Sequence, residues 1–129
     1  MSQKAWNKMI SHCEQESPYE ACGLITGKEG MAARIWPMEN IDRSPVSFAM
    51  DLNQLRVAFE QMEENREELL AIYHSHPTDR AYPSAEDIAM HNYPEAGYII
   101  VSLAGRAPVA KCYQLIGKSI FKLPIVLVD

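Results

Sequence analysis

Basic clusters, long apolar runs and paired cysteines are all missing from this chain of 129 residues. The sequence contains twelve Lys and Arg residues and seventeen Asp and Glu residues, which gives a formal net charge of −5. Because phosphate binding needs concentrated positive charge, this balance argues against nucleic acid as the main partner. No apolar run approaches the roughly 20 residues that span a bilayer, and the first residues lack the apolar core of a signal peptide. We therefore expect a cytoplasmic protein without a membrane partner.

Three cysteines are too few, and too widely spaced, to form a disulfide framework. Cys13, Cys22 and Cys112 make an odd count and contain no Cys-x-x-Cys pair. The pattern places Cys13 on the apolar face of a helix and Cys112 in a strand, where both would be small buried hydrophobes. Cys22 closely follows Glu20 and is also expected to serve in packing.

The chain has the composition of a single globular domain. Apolar residues make up 47% and charged residues 22% of the sequence, and no repeat, linker or low-complexity tract divides it. We predict one domain over residues 1–129.

Hydrophobic periodicity and turn residues predict a mixed α/β architecture. Asp51 is a predicted N-cap, and the residues from Gly27 to Gly30 predict a hairpin turn. The predicted helices cover residues 3–16, 52 to about 66, and 84 to about 92. The predicted strands cover residues 22–27, 31–36, 69–76, 98–103, 109–116 and 120–128. The strand over 69–76 is nearly all apolar at its start, which is typical of a central strand, so we expect a mixed sheet flanked by helices.

The strongest chemical pattern is His74-Ser75-His76-Pro77, which ends this apolar strand. Residues two apart on a strand point to the same face, so both imidazoles should project side by side. Zinc accepts imidazole nitrogen, and catalytic zinc sites combine such ligands with a carboxylate and one open position. A His-x-His pair alone is weak evidence, because surface histidines at this spacing are common.

Asp87 could supply the carboxylate from the helix that follows. It lies three residues after Ser84, and Ser-x-x-Asp is also the pattern of a capping box, which taken alone is the commoner explanation. The two interpretations are compatible, since Ser84 can begin the helix while its hydroxyl faces the site. Together with the preceding His-x-His-Pro and a seven-residue spacer, the pattern predicts a metal site.

Glu20 is the candidate general base, although its local sequence does not identify it. The residue lies between a predicted helix and a predicted strand, where most glutamates are solvated. Its candidacy rests on the need for a base and on the resemblance described next.

Taken together, these motifs resemble those of the JAMM or MPN-type metalloprotease family. The shared features are a glutamate before a Cys-Gly strand, then His-x-His-Pro, then Ser-x-x-Asp after seven residues. The resemblance extends through Asn40, the Phe48 segment and the strand over 98–103, and the length suits a compact prokaryotic member. It implies the MPN/JAMM fold, a single-domain mixed β-sheet flanked by helices with a cytidine-deaminase-like architecture.

The resemblance also implies roles for individual residues. His74, His76 and Asp87 would bind zinc, Glu20 would be the general base, and Ser84 would stabilise the oxyanion. Family members cleave amide bonds at the C-terminus of ubiquitin-like proteins, and compact members act on sulfur-carrier proteins that end in Gly-Gly. The implied partner is such a carrier, contacted by the segments 47–50 and 78–82.

Several alternatives remain open from the sequence. A thiol hydrolase using Cys22 would leave the clustered histidines unexplained. The chain lacks His-Glu-x-x-His and the Pro-Cys-x-x-Cys of zinc deaminases. A non-proteolytic relative, either a zinc-stabilised binding module or a DNA-repair-associated domain, is the nearer rival.

Overall fold

One six-stranded sheet runs through the molecule and carries helices on both faces. The computed structural model describes residues 1–129. In chain order the elements are α1 (Gln3–Glu16), β1 (Cys22–Lys28), β2 (Met31–Met38), α2 (Leu52–Glu64), β3 (Glu68–His76), α3 (Ala85–Met90), β4 (Gly97–Ser102), β5 (Val109–Ile116) and β6 (Ser119–Leu123). The predicted single-domain mixed sheet flanked by helices is confirmed.

The strand order is β2-β1-β3-β4-β5-β6, which places β3 near the middle. The β3–β4 pair is parallel and every other neighbouring pair is antiparallel. The chain passes from β3 to β4 through α3, as parallel neighbours require a crossover connection. The apolar start of β3 therefore predicts its central position correctly, and the crossover brings α3 to the end of that strand.

Side chains of β3 alternate between two cores, one on each face of the sheet. Tyr73 joins the core beneath α1, where the spacing of four also buries Ala5, Met9 and Cys13. Ile72 joins the core on the opposite face, together with Ala58 of α2. Residues 74 and 76 share the parity of Ile72, so the two histidines emerge on the α2 side.

Proline positions explain where three elements differ from the predicted bounds. Strand β2 runs to Met38 rather than ending at residue 36, because β2 is an edge strand and tolerates Pro37 without losing a sheet hydrogen bond. Strand β6 stops at Leu123, immediately before Pro124, although an extended segment was predicted through residue 128. Helix α3 ends at Met90, because Pro94 disfavours helical backbone before it and the Tyr98 hydroxyl accepts the Asn92 and Tyr93 N–H groups.

The predicted cap and hairpin turn are both present. The Asp51 side chain accepts a hydrogen bond from Asn53 N–H at the start of α2 (3.3 Å). Glu29 and Gly30, between β1 and β2, both have positive φ, as the tightest hairpin turns require. None of the three helices combines the length and the apolar character needed to cross a bilayer. The cytoplasmic location stays a prediction.

We predict that Gly27→Ala destabilises the fold. A Cβ at this position would lie 1.7 Å from the backbone carbonyl oxygen of Met31, so the hairpin would have to open. The free energy of unfolding should fall by about 1–3 kcal/mol, the usual cost of overpacking. Gly105→Ala is the control, because its nearest neighbour would be 3.9 Å away. Equal midpoints for both variants in urea denaturation would contradict the predicted clash.

Candidate active site

Two buried imidazoles meet at the end of β3. His74 is 1% exposed and His76 is 4% exposed, and their Nε2 atoms lie 3.2 Å apart. The two-residue spacing on an extended strand places both rings on one face, as predicted. Their rings are tilted by 63° with centroids 5.0 Å apart, so the two Nε2 atoms converge while the rings diverge.

Asp87 reaches the same point from the first turn of α3. Its Oδ2 lies 3.1 Å from His74 Nε2 and 3.2 Å from His76 Nε2. The capping box is also fully formed, with Asp87 N–H donating to Ser84 Oγ (3.0 Å) and Ser84 N–H donating to Asp87 Oδ2 (2.9 Å). The capping explanation of this motif is therefore confirmed, and the same cap fixes the carboxylate against the histidines, where the predicted metal site would need it.

The three ligand atoms are spaced as a small cation requires. A tetrahedral ion with bonds of about 2.0–2.1 Å separates its ligand atoms by about 3.3 Å, and the observed separations are 3.1–3.2 Å. At this distance one Nε2–H can donate to the lone pair of the other Nε2, whereas two lone pairs would repel each other. A cation among the three atoms would let both nitrogens present their lone pairs at once. His74, His76 and Asp87 thus form one group able to hold a metal ion.

A hydrogen bond behind His76 prepares its Nε2 as a ligand atom. Its Nδ1–H donates to the Arg80 carbonyl (2.8 Å), which can only accept, so the lone pair of the neutral ring resides on Nε2. The loop over residues 77–83 is itself anchored, since the Ser102 and Tyr113 hydroxyls donate to the Asp79 and Ala81 carbonyls. His74 is supported differently, by the Phe48 ring stacked 4.7 Å from its own.

The electrostatics of the group favour a negative Asp87. Burial alone would raise its pKa, but hydrogen bonds from His74 and His76 outweigh that effect and hold the pKa well below its usual range. For His76, burial lowers the pKa, but the hydrogen bonds to Asp87 and to the Arg80 carbonyl raise it by more. The pKa of His76 is therefore higher than that of a free imidazole. Asp87 is therefore a carboxylate that attracts positive charge to the centre, whether a proton or a metal ion.

Glu20 is buried beside this group rather than solvated. It is only 4% exposed, and its Oε1 has no hydrogen-bond partner. Burial is the largest influence on its pKa, which rises to about 8, with His76 opposing and Asp87 adding to the increase. A carboxyl with a pKa near neutrality suits proton transfer, and a nearby cation would favour its ionised form.

The backbone around Glu20 is held by residues that the sequence did not single out as functional. The Glu20 N–H donates to the Ser44 carbonyl (2.9 Å), and the Asn40 side-chain amide donates to the Glu20 carbonyl (2.9 Å). Next to it, Ala21 N–H donates to Ser75 Oγ (2.8 Å). Ser75 is the middle residue of His-x-His, so its opposite orientation on the strand is the signal that could have predicted this role.

The Ser84 hydroxyl retains a free hydrogen. Its oxygen accepts from Asp87 N–H, which uses a lone pair and leaves the O–H able to donate. The residue is partly buried, and its hydrogen bonds with Asp87 tie it to the residue that approaches both histidines. This arrangement is compatible with the predicted oxyanion role.

An apolar cavity of about 500 Å³ leads to the centre. His74 and Asp87 lie in its wall. All four residues of the predicted contact segment 47–50 also line it. Leu52, which the sequence assigns to the apolar stripe of α2, is 80% exposed and belongs to the cavity wall rather than to the core. The second predicted contact segment, residues 78–82, lines neither this cavity nor the smaller one near Glu20.

Comparison with known proteins identifies relatives across nearly the whole chain. The family model of prokaryotic homologs of the JAB domain matches residues 2–115. A CysO-cysteine peptidase from Mycobacterium tuberculosis is 33% identical over 128 residues, covering 95% of this chain and 86% of that protein. A desampylase from Pyrococcus furiosus is 33% identical over 85 residues, covering 65% of this chain and 61% of that protein.

A solved structure agrees with the fold. The solution structure of protein DSY2949 from Desulfitobacterium hafniense has a TM-score of 0.90 and 34% identity, covering 100% of this chain and 94% of that one. The predicted family and fold class are confirmed.

We predict that Asp87→Asn lowers the affinity for added Zn²⁺ by at least about 100-fold, because the substitution removes a charged ligand. The asparagine oxygen can still accept from Ser84 N–H, so the cap of α3 is retained. Glu86→Gln is the matched control, since Glu86 is an exposed acid in the same helical turn. Calorimetric titration of metal-free protein measures both affinities. Equal Zn²⁺ affinities for wild type and Asp87→Asn would remove Asp87 from the ligand set.

Proposed function

This chain belongs to the family of prokaryotic homologs of the JAB domain, and on that premise we propose that it is a zinc-dependent metallopeptidase. It hydrolyses an amide bond at the C-terminus of a ubiquitin-like or sulfur-carrier protein. The observation that carries this proposal is the convergence of two imidazole nitrogens and one carboxylate oxygen beside a buried, unpartnered carboxyl group. A domain that held zinc only for structure would have no need of Glu20 in that position.

Zinc is the proposed metal because of the donor set. Two histidines, one carboxylate and an open position are typical of hydrolytic zinc sites, and zinc prefers four ligands. When bound, zinc would polarise a substrate carbonyl and acidify water. His74, His76 and Asp87 would hold it, with the Arg80 carbonyl orienting His76.

Glu20 moves the proton in this proposal. Its carboxylate takes one proton from the attacking water as the water oxygen bonds to the carbonyl carbon. The same carboxyl then gives that proton to the departing nitrogen as the C–N bond breaks, which yields a carboxylic acid and an amine. The Ser84 hydroxyl donates to the developing oxyanion. Burial keeps the Glu20 pKa high enough for both steps near neutral pH.

The substrate proposal is supported by the names of the relatives and by the shape of the site. One relative is named for a CysO–cysteine adduct and another is a desampylase. The apolar cavity approaches the centre past the backbone of residues 47–50, along which an extended tail could lie as an added strand. Phe48 stacks on His74 in the cavity wall, and glycines fit most easily beside such bulky rings because they lack side chains. We therefore propose a Gly-Gly tail.

We predict that zinc-loaded protein cleaves carriers whose Gly-Gly tail bears a C-terminal cysteine. Carrier and released amino acid would be quantified by mass spectrometry, with metal-free protein as the control. Carriers in which the two glycines are replaced by valines should resist cleavage, because side chains would collide near Phe48. If no carrier in a broad panel is cleaved, the peptidase proposal is wrong.

We predict that Glu20→Gln lowers kcat by at least about 100-fold, because the amide cannot accept or deliver the proton. Zinc content and the urea midpoint should stay near the wild-type values, since glutamine has the same shape. Glu95→Gln, at an exposed turn before β4, is the control and should keep full activity. Wild-type turnover in Glu20→Gln would assign the base to another group.

A further inference from the structure

Two different cavities flank the candidate centre. The apolar cavity of about 500 Å³ is lined by His74 and Asp87 but not by Glu20. A second cavity of about 290 Å³ is lined by Glu20 but by none of the three ligand residues. In the proposed reaction the substrate carbonyl must face the ligand group, while the departing nitrogen must face Glu20. The carrier tail and the leaving group therefore belong in different cavities.

We propose that the second cavity binds the leaving group and that Arg43 pairs with its free α-carboxylate. We call it the Arg43 cavity; its polar wall comprises Glu16, Tyr19, Glu20, Glu39, Asn40 and Arg43. The preferred leaving group is one C-terminal amino acid rather than the lysine side chain of a folded protein. This inference rests on the proposed function and specifies the leaving-group side of the same site.

The size of the Arg43 cavity suits a small occupant. Its volume of about 290 Å³ lies at the lower end of small-molecule sites. It can hold an amino acid but not a globular partner.

The charges in the wall distinguish the two ends of such an occupant. Arg43 is the one cation in the wall, and its nearest carboxylate oxygen, on Glu39, is 4.0 Å away, which is too far for a hydrogen bond. The guanidinium donors are thus free to form a bidentate pair with a carboxylate. Glu16 and Glu20 line the same wall and would attract the amine that gains a proton on release. A lysine side chain from a folded protein offers no carboxylate for Arg43.

The test compares two carriers that differ only in the last group. Both end in Gly-Gly-cysteine, one as the free acid and one as the carboxamide, so any effect of the thiol on the metal cancels. The wild type should cleave the free acid with a kcat/KM about tenfold higher, mainly through KM, because the charge-assisted hydrogen bonds are formed already in the bound substrate.

Arg43→Asn should abolish this preference by slowing cleavage of the free acid alone. Asparagine is chosen because Arg43 has a φ of 45°, which asparagine tolerates better than most residues. Arg43→Lys should restore part of the preference, since it keeps the charge. Arg56→Asn is the control, because Arg56 is also exposed and also has a glutamate four residues away, but lines neither cavity. It should retain the full tenfold ratio.

A binding measurement gives a second readout that needs no turnover. In the Glu20→Gln background, calorimetry should show tighter binding of the free acid than of the carboxamide, and adding Arg43→Asn should remove the difference. If the wild type cleaves both carriers equally, or the Glu20→Gln variant binds them equally, the Arg43 proposal is wrong while the proposed function stands. If zinc-loaded wild type cleaves no carrier, the proposed function fails and this inference fails with it.

Discussion

The carboxylate of Asp87 is the group on which the rest of the site depends. A single oxygen accepts the N–H that caps α3 and also lies within 3.2 Å of both imidazoles. A buried carboxylate of this kind is stable only when it is compensated by hydrogen bonds or positive charge. The capping box and the group formed by His74, His76 and Asp87 therefore reinforce each other, since the cap holds the oxygen in place while the imidazoles supply the compensation. This shared oxygen ties a short, exposed helix to the end of the central strand.

Glu20 differs from Asp87 in this respect. Its backbone is held by hydrogen bonds, but its carboxyl oxygen Oε1 has no hydrogen-bond partner. Ser44, Asn40 and Ser75 hold the main chain on both sides of it, and none of them contacts its Oε1. Burial without a partner is costly for a carboxylate, and it is the same burial that raises its pKa towards neutrality. The hydrogen bonds to the backbone let the fold tolerate this cost at the position where the proposed reaction requires a base.

Local sequence rules predict the elements well, because strand alternation and helix periodicity reflect burial directly. They place His74 and His76 on one face of a central strand, and they recognise the Ser84–Asp87 box. They do not predict that Glu20 is buried, because its environment is created by the loop from Asn40 to Ser44, which is distant in sequence. Arg43 is missed for the same reason. Its position depends on how that loop packs beside β1 and β2. Hydrophobic periodicity predicts helices and strands but not the packing of a loop. The end of α3 at Met90 is missed for a different reason, since it depends on hydrogen bonds from the backbone N–H groups of Asn92 and Tyr93 to the nearby Tyr98 hydroxyl, which apolar periodicity does not reveal.

The Asn40 side chain has a consequence for which substitutions this position can accept. Its amide nitrogen donates to the Glu20 and Ser47 carbonyls, while its oxygen accepts from the Asp42 and Ala49 N–H groups. Aspartate has the same outline but no donors, so it would turn two attractions into repulsions between oxygens. The site therefore selects for hydrogen-bond polarity rather than for size. Spontaneous deamidation of this one side chain would loosen the segment bearing Glu20 and the segment bearing Phe48 together.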